Sequence, residues 1–583
     1  MISLRETAIY VHLEGDSKEL SALVDETKIR PPNYWRADSY QLYKMTGGEK
    51  GWDGYMRVIE RTGPGAGKAL RGLQDSIIEA AKKLSIELNR DKLVKSPFHG
   101  LVVDDIPDDL IKADFELDGN QRSCIASWLN HAHGVHKVTV SGGKTAMFCA
   151  AASMIKRRFP DSRFLYLTPT ERLVNQVFRE AKKFLPEWDI TQFGGGKKKS
   201  DGKDLIVATA ACIHANYDEL AYERWFRTFM TILADECHHV SSDSWGRILL
   251  STPAFFRLGA SDTTREDDPV AFSRIHGLVG PIRQVVQVDP LIRIGRVAKP
   301  TIYIADNPAW RGRFSHVPHV AEPDTPAWVL MDNEWHKATY VGPVFEKAEP
   351  DKKTGDFHKG EEDGFKKDRK GELIQVQNMH RVLVDKEDHE LESRWCLLNR
   401  TNDQAIVQFK ERNALIAQWT QHFSDQGHPT LVVATRTLHI LILQAAISKL
   451  VNPDLVRILF STHDSKERDA TFEWLKTTPG AVLISPLVKE GVSIPELKAG
   501  IVADHVVSHE LMSQIIGRFI RQKKTGKNEC EIVMFLDRQH PRLQRNGLAL
   551  VEQLEKIRGY DFVTGVIGPE TKSGGVLHQS AFV

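Results

Sequence analysis

No stretch of this chain approaches the roughly 18 consecutive apolar residues of a membrane span. The opening MISLRETAIYVHLEG carries acids early and has no long apolar core, which argues against a secretion signal. Cysteine is sparse and scattered: Cys124, Cys149, Cys212, Cys237, Cys396 and Cys530 form no CxxC pair. That excludes the usual zinc ribbon or disulfide framework and fits a reducing compartment. Charge of one sign is also lacking. Seventy-eight Lys and Arg against 77 Asp and Glu leave a net +1, so any grip on nucleic acid must come from local patches. Together these absences predict a cytoplasmic protein.

What is present is an ordinary globular composition, 41% hydrophobic and 27% charged over 583 residues, a length that suits about two to four domains. Residues 1–112 read as a small α+β unit, with strands at Thr7–Leu13 and Tyr55–Ile59, a short helix at Ser17–Val24 and an amphipathic helical pattern from Ala69 to Leu88. From 113 to 305, apolar runs at Lys137–Val140, Phe164–Leu167, Leu205–Ala208, Phe229–Ala234 and Arg257–Ala260 alternate with helical stretches. That alternation predicts a parallel sheet covered on both faces. The pattern weakens over 306–395, read as an insertion. Its segment 346–372, dense in Lys, Glu, Asp and Gly, reads as a mobile loop or extended hairpin, solvated or reaching nucleic acid. Alternation resumes over 396–560 with runs at Thr430–Ala434, Leu455–Phe460, Ala481–Ser485, Gly500–Ala503 and Glu531–Leu536; 561–583 reads as a frayed tail.

Three segments carry chemistry. In KVTVSGGKTAMF a strand runs through Ser141, Gly142 and Gly143 into Lys144, Thr145 and a helix. Backbone N–H groups at a helix N-terminus bind phosphate, and glycines let it approach. Lys144 would reach the terminal phosphates and the Thr145 hydroxyl a Mg²⁺ ion. The full phosphate-loop signature has Gly where this chain has Val138, so a plain helix N-terminus stays open as an alternative. The run GPGAGKA (63–69) is one residue short and lacks the hydroxyl, and reads as a strand-to-helix turn. In TILADECHH, an apolar strand ends on two carboxylates. Asp235 is suited to a metal and Glu236 to accepting a proton from an attacking water. In LMSQIIGRFIRQKK, a helical reading puts Gln514, Gly517, Arg518 and Arg521 on adjoining faces. Such arginines can stabilise the charge that develops in phosphoryl transfer. The cluster HAHGVH (131–136) has no carboxylate or cysteine pattern around it and reads as a loop before the first strand rather than a metal site.

With these residues in place, the chain resembles the superfamily-two helicases of the DExH type, whose motifs occur here in the family's order. The resemblance implies two RecA-like parallel-sheet lobes, an α/β fold with the N-terminal α+β unit as accessory domain, and ATP with Mg²⁺ held between the lobes. Gln121 falls in the nucleotide-contacting position before the phosphate loop, and Gly491 among the motif V residues. Thr168, Pro169, Thr170 (motif Ia), Thr209 (Ib) and Thr435 (IV) fall at positions that contact nucleic acid. Ser261 and Thr263 stand in motif III, and His238 in the segment that couples nucleotide to it. The family's phosphate loop has Thr-Gly where this chain has Val140-Ser141, and its motif V commonly has Thr and Asp where Pro486 and Ser493 stand. GWDGYMRVIE (51–60), FGGGKKKSDGKDLIVAT (193–209) and RNALIAQW (412–419) resemble elements of the family's phage recombination branch. The implied task is ATP-driven unwinding, annealing or migration of branched DNA, with RNA open and other replication or recombination proteins as possible partners. A motor subunit of a restriction complex and a degenerate ATPase serving as a nucleic-acid-binding scaffold are the alternatives. Trp52 either fills the small core or stacks on an unpaired base, and Arg57, Arg61 and Lys68 are candidate phosphate contacts. A chain starting near residue 112 is expected to fold.

Overall fold

The computed structural model describes residues 1–583 except 113–115, 140, 195–202, 307–313, 318–322, 325, 332–333, 346–365, 367–372, 374, 385–389, 398–405, 461, 487–496, 507–508, 522, 524–526, 538–540, 567–576 and 579–583. It divides into two compact units, Met1–Gln287 and Val288–Val583.

The first unit opens on a five-stranded sheet: β1 (Ile2–Glu6), β2 (Tyr10–Gly15), β3 (Glu60–Gly63), β4 (Ala66–Leu70) and β5 (Leu88–Lys92), in the order β3-β4-β2-β1-β5. Alternate residues Ile2, Leu4, Val11 and Leu13 are buried against helices Ser17–Glu26 and Gln74–Lys83. The strand expected at Tyr55–Ile59 is instead a single bridge from Met56 to Ile29, and the strand starts at Glu60. GPGAGKA is the turn and return of the β3–β4 hairpin, not a strand-to-helix turn. Its short Gly-Pro-Gly connection suits a hairpin, and the apolar Ala69 and Leu70 continue the strand rather than open a helix.

This sheet is packed on the lobe that follows. Arg71, nearly buried, pairs with Glu6 at 2.5 Å and donates to the Phe255 carbonyl at 2.8 Å. A Cβ on Gly72 would meet the His276 carbonyl oxygen at 1.8 Å. Arg283 bridges to Asp75 at 2.8 Å. The lobe also begins before residue 113, because Ile106, Leu110 and Ile111 belong to its core and Ser96 hydrogen-bonds to the Leu129 carbonyl. A chain starting near 112 would lose part of that core, contrary to the expectation from sequence, which placed the boundary on an acid-rich stretch.

The lobe's sheet has seven parallel strands: β6 (His133–Val138), β7 (Phe164–Thr168), β8 (Ile190–Phe193), β9 (Leu205–Thr209), β10 (Thr231–Asp235), β11 (Phe256–Ser261) and β12 (Ile282–Val286), ordered β12-β6-β11-β10-β7-β9-β8. Both faces are covered. Phe164, Tyr166, Val207 and Leu233 enter one core, while Leu165, Leu167, Ile206 and Ile232 enter the other. That explains the unbroken apolar runs in the sequence. β6 starts at His133, so HAHGVH is largely strand rather than loop. His136 is buried, stacks on Trp128 with centroids 4.2 Å apart, and bonds to the Cys124 carbonyl at 2.8 Å.

In the second unit a strand of the main sheet comes first: β13 (Lys299–Asp306), expected at the end of the first lobe. There follow five strands that close a barrel, β14 (Phe314–Val317), β15 (Pro326–Met331), β16 (Glu334–Phe345), β17 (Gln375–Val384) and β18 (Glu390–Leu397). The segment read as a loose insertion is therefore folded wherever it is described; 346–372, apart from Lys366, lies outside the described residues. The main sheet continues with β19 (Thr430–Val433), β20 (Val456–Ile458), β21 (Val482–Ser485), β22 (Ala499–Val502), β23 (Glu529–Leu536), β24 (Asp561–Val566) and β25 (Leu577–His578). Its order is β20-β21-β19-β22-β23-β13-β24-β25, parallel except at β24–β25. β13 lies between β23 and β24, so neither β13 nor β24 falls where the sequence boundaries put them. The β24 strand in particular replaces an expected tail.

Candidate nucleotide and nucleic-acid site

Except for Gln121, which lies on the helix Gly119–His131, the side chains predicted for chemistry in the first lobe sit at or just beyond the carboxyl-terminal edge of its sheet, where parallel α/β sheets bind ligands. After β6 the backbone turns through Ser141 (φ 66°) and Gly143 (φ 83°), both left-handed. Gly143 then caps the helix Lys144–Arg158, whose first amides have no acceptor within the helix. Gln121 does not point outward. It is buried, accepts from the Asp118 amide at 3.1 Å and donates to the Gly142 carbonyl at 3.2 Å, so it braces the loop from behind. The Ser141 hydroxyl is buried without a hydrogen-bond partner among the described residues. Loop, helix start and orphaned hydroxyl together suit a bound phosphate.

Facing this loop, β10 ends on Asp235, and Glu236 takes a left-handed turn (φ 49°) that aims its carboxylate back at Lys144. A non-glycine residue in that region is strained and held by its surroundings. Lys144 Nζ is in direct contact with Glu236 Oε1 and lies 4.0 Å from Asp235 Oδ1. Burial works against the Lys144 ammonium, yet the Glu236, Asp235 and Asp262 carboxylates outweigh it and hold its pKa above the usual lysine range. Burial pushes Asp235 up to about 6, helped by the neighbouring Glu236 charge. Glu236 is pushed up by burial too, but Lys144 and His238 pull it below the ordinary carboxylate range. The pair is thus set apart: its cationic neighbours hold Glu236 ionised, while Asp235 is the more basic carboxylate.

Glu236 is also tied to the next strand. Ser261 donates to Glu236 Oε2 at 3.3 Å, His238 Nδ1 lies 2.8 Å from Ser261 Oγ, and the Thr263 amide donates to Ser261 Oγ at 3.2 Å. Thr168 and Thr209 are register partners on β7 and β9. Pro169 follows β7, and Thr170 and Thr209 each cap the following helix, accepting from Leu173 at 3.4 Å and Cys212 at 3.1 Å. The sequence reading missed Tyr166. Fully buried on β7, it donates to Asp235 Oδ2 at 3.2 Å and is hydrogen-bonded to the Thr145 side chain. Its signal was a phenol inside an aliphatic strand, which needs a partner once buried.

In the second unit the Thr435 amide donates to Asp504 at 2.5 Å, and His439 lies between Asp504 (3.3 Å) and Asn413 (3.1 Å). Thr435, Arg436, Pro486, Asp504 and His505 line a cavity of about 130 Å³ at the ends of β19, β21 and β22. Gly491 lies outside the described residues, as do Val140 and Ser493. Gln514 and Arg518 lie on the helix His509–Phe519, but Arg521 does not. The helix stops because the Ile520 carbonyl accepts from Ala298 (2.7 Å) and Lys523 Nζ takes the Phe519 carbonyl (2.5 Å); Arg521 is extended, in a bridge with Val297. The two arginines therefore do not share a helical face, contrary to the helical reading that put Gln514, Gly517, Arg518 and Arg521 on adjoining faces.

Residues 114–266, within this first lobe, match the family model described as the res subunit of type III restriction enzymes. The chain is 28% identical over 167 residues (29% of this chain, 35% of the relative) to the DNA 3'-5' translocase XPB2 of Sulfurisphaera tokodaii. It is 24% identical over 209 residues to the putative helicase 22 of Sulfolobus islandicus filamentous virus, covering 34% of this chain and 36% of that one. The matches thus span about a third of the length of these curated relatives. The solved structure of UvsW from bacteriophage T4 aligns over 97% of this chain and 99% of its own, at 13% identity and a TM-score of 0.42. No helix among the described residues is long and apolar enough to cross a membrane.

Proposed function

We propose that the whole chain is an ATP-dependent nucleic-acid helicase or translocase acting on branched DNA during replication or recombination. The observation that carries this reading is the connected set Lys144–Glu236–Ser261–His238. It joins the phosphate-binding loop to the strand end after β11, so a change at the nucleotide is felt by the neighbouring loop. In this reading Lys144 and the loop amides bind the phosphates of ATP, and Glu236 takes the proton of the attacking water. Arg518, Arg521 and Gln514 support turnover. Among the described residues no group of three or more His, Cys, Asp or Glu could hold a metal. Mg²⁺ would therefore rest on Thr145, Asp235 and the nucleotide's own oxygens, which is how this ion is commonly held, and it would neutralise charge on the phosphates. Thr168–Thr170, Thr209 and Thr435 would hold the nucleic-acid backbone.

The three runs shared with the phage recombination branch favour branched DNA over other substrates. The match to a restriction-enzyme subunit supports a second reading, a motor that works with a nuclease or methyltransferase partner. Strand displacement tests the first. The purified chain with ATP and Mg²⁺ should separate or migrate a synthetic fork, and the Lys144→Ala variant should not. No displacement or migration of any fork or junction by the wild-type chain would contradict the proposal.

A further inference from the structure

Between helix Ser17–Glu26 and β3 the N-terminal sheet carries a long excursion with an unusual composition. It holds Tyr34, Trp35, Tyr40, Leu42, Tyr43, Met45 and Trp52, yet from Asp25 to Asp53 not one residue is buried. Apolar side chains in a connection of this length ordinarily turn inward or are replaced by polar ones. Here Trp35 is 50%, Leu42 45% and Met45 83% exposed. The excursion is nonetheless fixed. Trp52 donates from its indole to the Tyr55 carbonyl at 2.8 Å and from its amide to Ser39 at 3.0 Å. Gly51 (φ 98°) lies where a Cβ would meet the Ser39 carbonyl oxygen at 2.2 Å. Gln41 holds the Trp35 carbonyl, and Arg57 pairs with Asp53 at 2.6 Å. Trp52 is thus neither a core residue nor the exposed ring; it is the clasp.

The charge of this segment differs from that of the chain. Between Thr27 and Arg57 stand six bases (Lys28, Arg30, Arg36, Lys44, Lys50, Arg57) and three acids (Asp38, Glu49, Asp53), a surplus of three where the whole chain has one. Arg30 lies over the rings of Tyr34 (4.6 Å) and Tyr55 (4.2 Å), and Tyr34 meets Trp35 edge to face at 5.6 Å. The phosphate contacts expected elsewhere are occupied within the molecule: Arg57 by Asp53, Arg61 by Ser17 and Ser21, and Lys68 by Glu60.

From this we infer that the excursion is a binding site for the unpaired strand of a nucleic acid, with Trp35 stacking on a base and Arg36, Lys44 and Lys50 meeting its phosphates. A fixed, exposed ring amid surplus cations suits a ligand that offers a π face and a negative backbone together. An acidic or neutral partner protein would leave one half of that chemistry unused. The inference rests on the nucleic-acid reading of the chain and names the part of the substrate this site takes.

The test uses the full chain and fluorescence anisotropy with two DNAs of equal length, a fork with unpaired arms and a fully paired duplex. Trp35→Ala should weaken fork binding roughly 5- to 100-fold, leave duplex binding within about twofold and leave basal ATP turnover unchanged. Trp35→Phe, which keeps a ring, should recover most of the affinity. Because Trp35 is half exposed, its loss does not disturb a core. Equal losses on both DNAs, or fork binding unchanged in Trp35→Ala, would overturn the inference, the latter leaving the excursion to a protein partner. If instead the nucleic-acid reading itself fails, the wild-type chain binds neither DNA and its ATP turnover ignores both.

Discussion

The hydroxyl of Tyr166 donates to Asp235 at 3.2 Å while also hydrogen-bonding the side chain of Thr145, so one buried phenol holds together the two groups proposed to carry magnesium. Tyr166 is fully buried and packs edge to face on Phe148, so it reaches the site only through these two side chains. Its effect is therefore one of positioning.

Replacing it tests that effect. Tyr166→Phe keeps the ring and removes the hydroxyl, at a cost of ~1–3 kcal/mol in stability from the lost bond to one Asp235 oxygen, the other still accepting from the Glu236 amide. The Mg²⁺ concentration needed for half-maximal ATP turnover should rise several-fold, while binding of a fluorescent ATP analogue without Mg²⁺ stays near wild type. An unchanged Mg²⁺ requirement would show that Thr145 and Asp235 need no such tether.

The two arginines of the QIIGRFIR segment should behave differently, because only Arg518 is helical and Arg521 sits in a bridge with Val297. Arg518→Ala is expected to lower kcat by ~10- to 1,000-fold with a much smaller change in KM for ATP, the mark of a contact that strengthens in the transition state. Arg521→Ala should alter thermal stability as well as turnover. Identical profiles for the two variants would argue against distinct roles.

Buried histidines make the first unit acid-sensitive. Burial lowers His136 to about 3, well below its unfolded value near 6.5, and lowers His276 to about 4. Between these values the unfolded chain binds more protons than the native one. Stability is therefore intact above about pH 6.5 and falls as pH drops toward 3, by up to ~1.4 kcal/mol per pH unit for each such group. His136→Phe should flatten the fall in Tm between pH 7 and 5; the same fall in the variant would assign it to other groups.

Arg412 and Asp537 form an ion pair at 2.7 Å with both side chains fully buried, joining the helix Lys410–Asp425 to the end of β23. Its two carboxylate contacts and the bond to the Ala503 carbonyl satisfy the guanidinium. Breaking such a pair strands a buried charge, so Arg412→Ala should cost ~3–5 kcal/mol in urea unfolding. The double variant Arg412→Met with Asp537→Leu should recover part of it. A single-variant loss under about 1 kcal/mol would show that the site takes up water instead.

The parallel sheets were legible because strands buried on both faces must be continuously apolar, as FLYLT and LIVAT are, and because a phosphate site needs glycine and lysine at a strand end. What escaped was set by partners distant in sequence. β13 reads as any strand, and only its pairing with β23 and β24 places it in the second sheet. β8 is short and β12 carries Arg and Gln at the sheet edge, so neither shows a core pattern. Arg521 fits a helical period, but the helix ends at Phe519 because Ala298, far along the chain, takes the Ile520 carbonyl and Lys523, four residues on, takes the Phe519 carbonyl. Gln121 was legible as part of the site but not its direction, since its capping of Asp118 turns it toward the back of the loop.

The central claim is that the Lys144–Glu236 pair is the hydrolytic centre of a nucleic-acid-driven ATPase, and steady-state ATP turnover with and without single-stranded DNA tests it most directly. Turnover should rise on adding DNA and vanish when EDTA removes Mg²⁺. Lys144→Ala should lose ATP binding or turnover, and Glu236→Gln should bind ATP yet hydrolyse it ~100-fold or more slowly. Wild-type turnover in both variants, or a rate indifferent to DNA, would contradict the account.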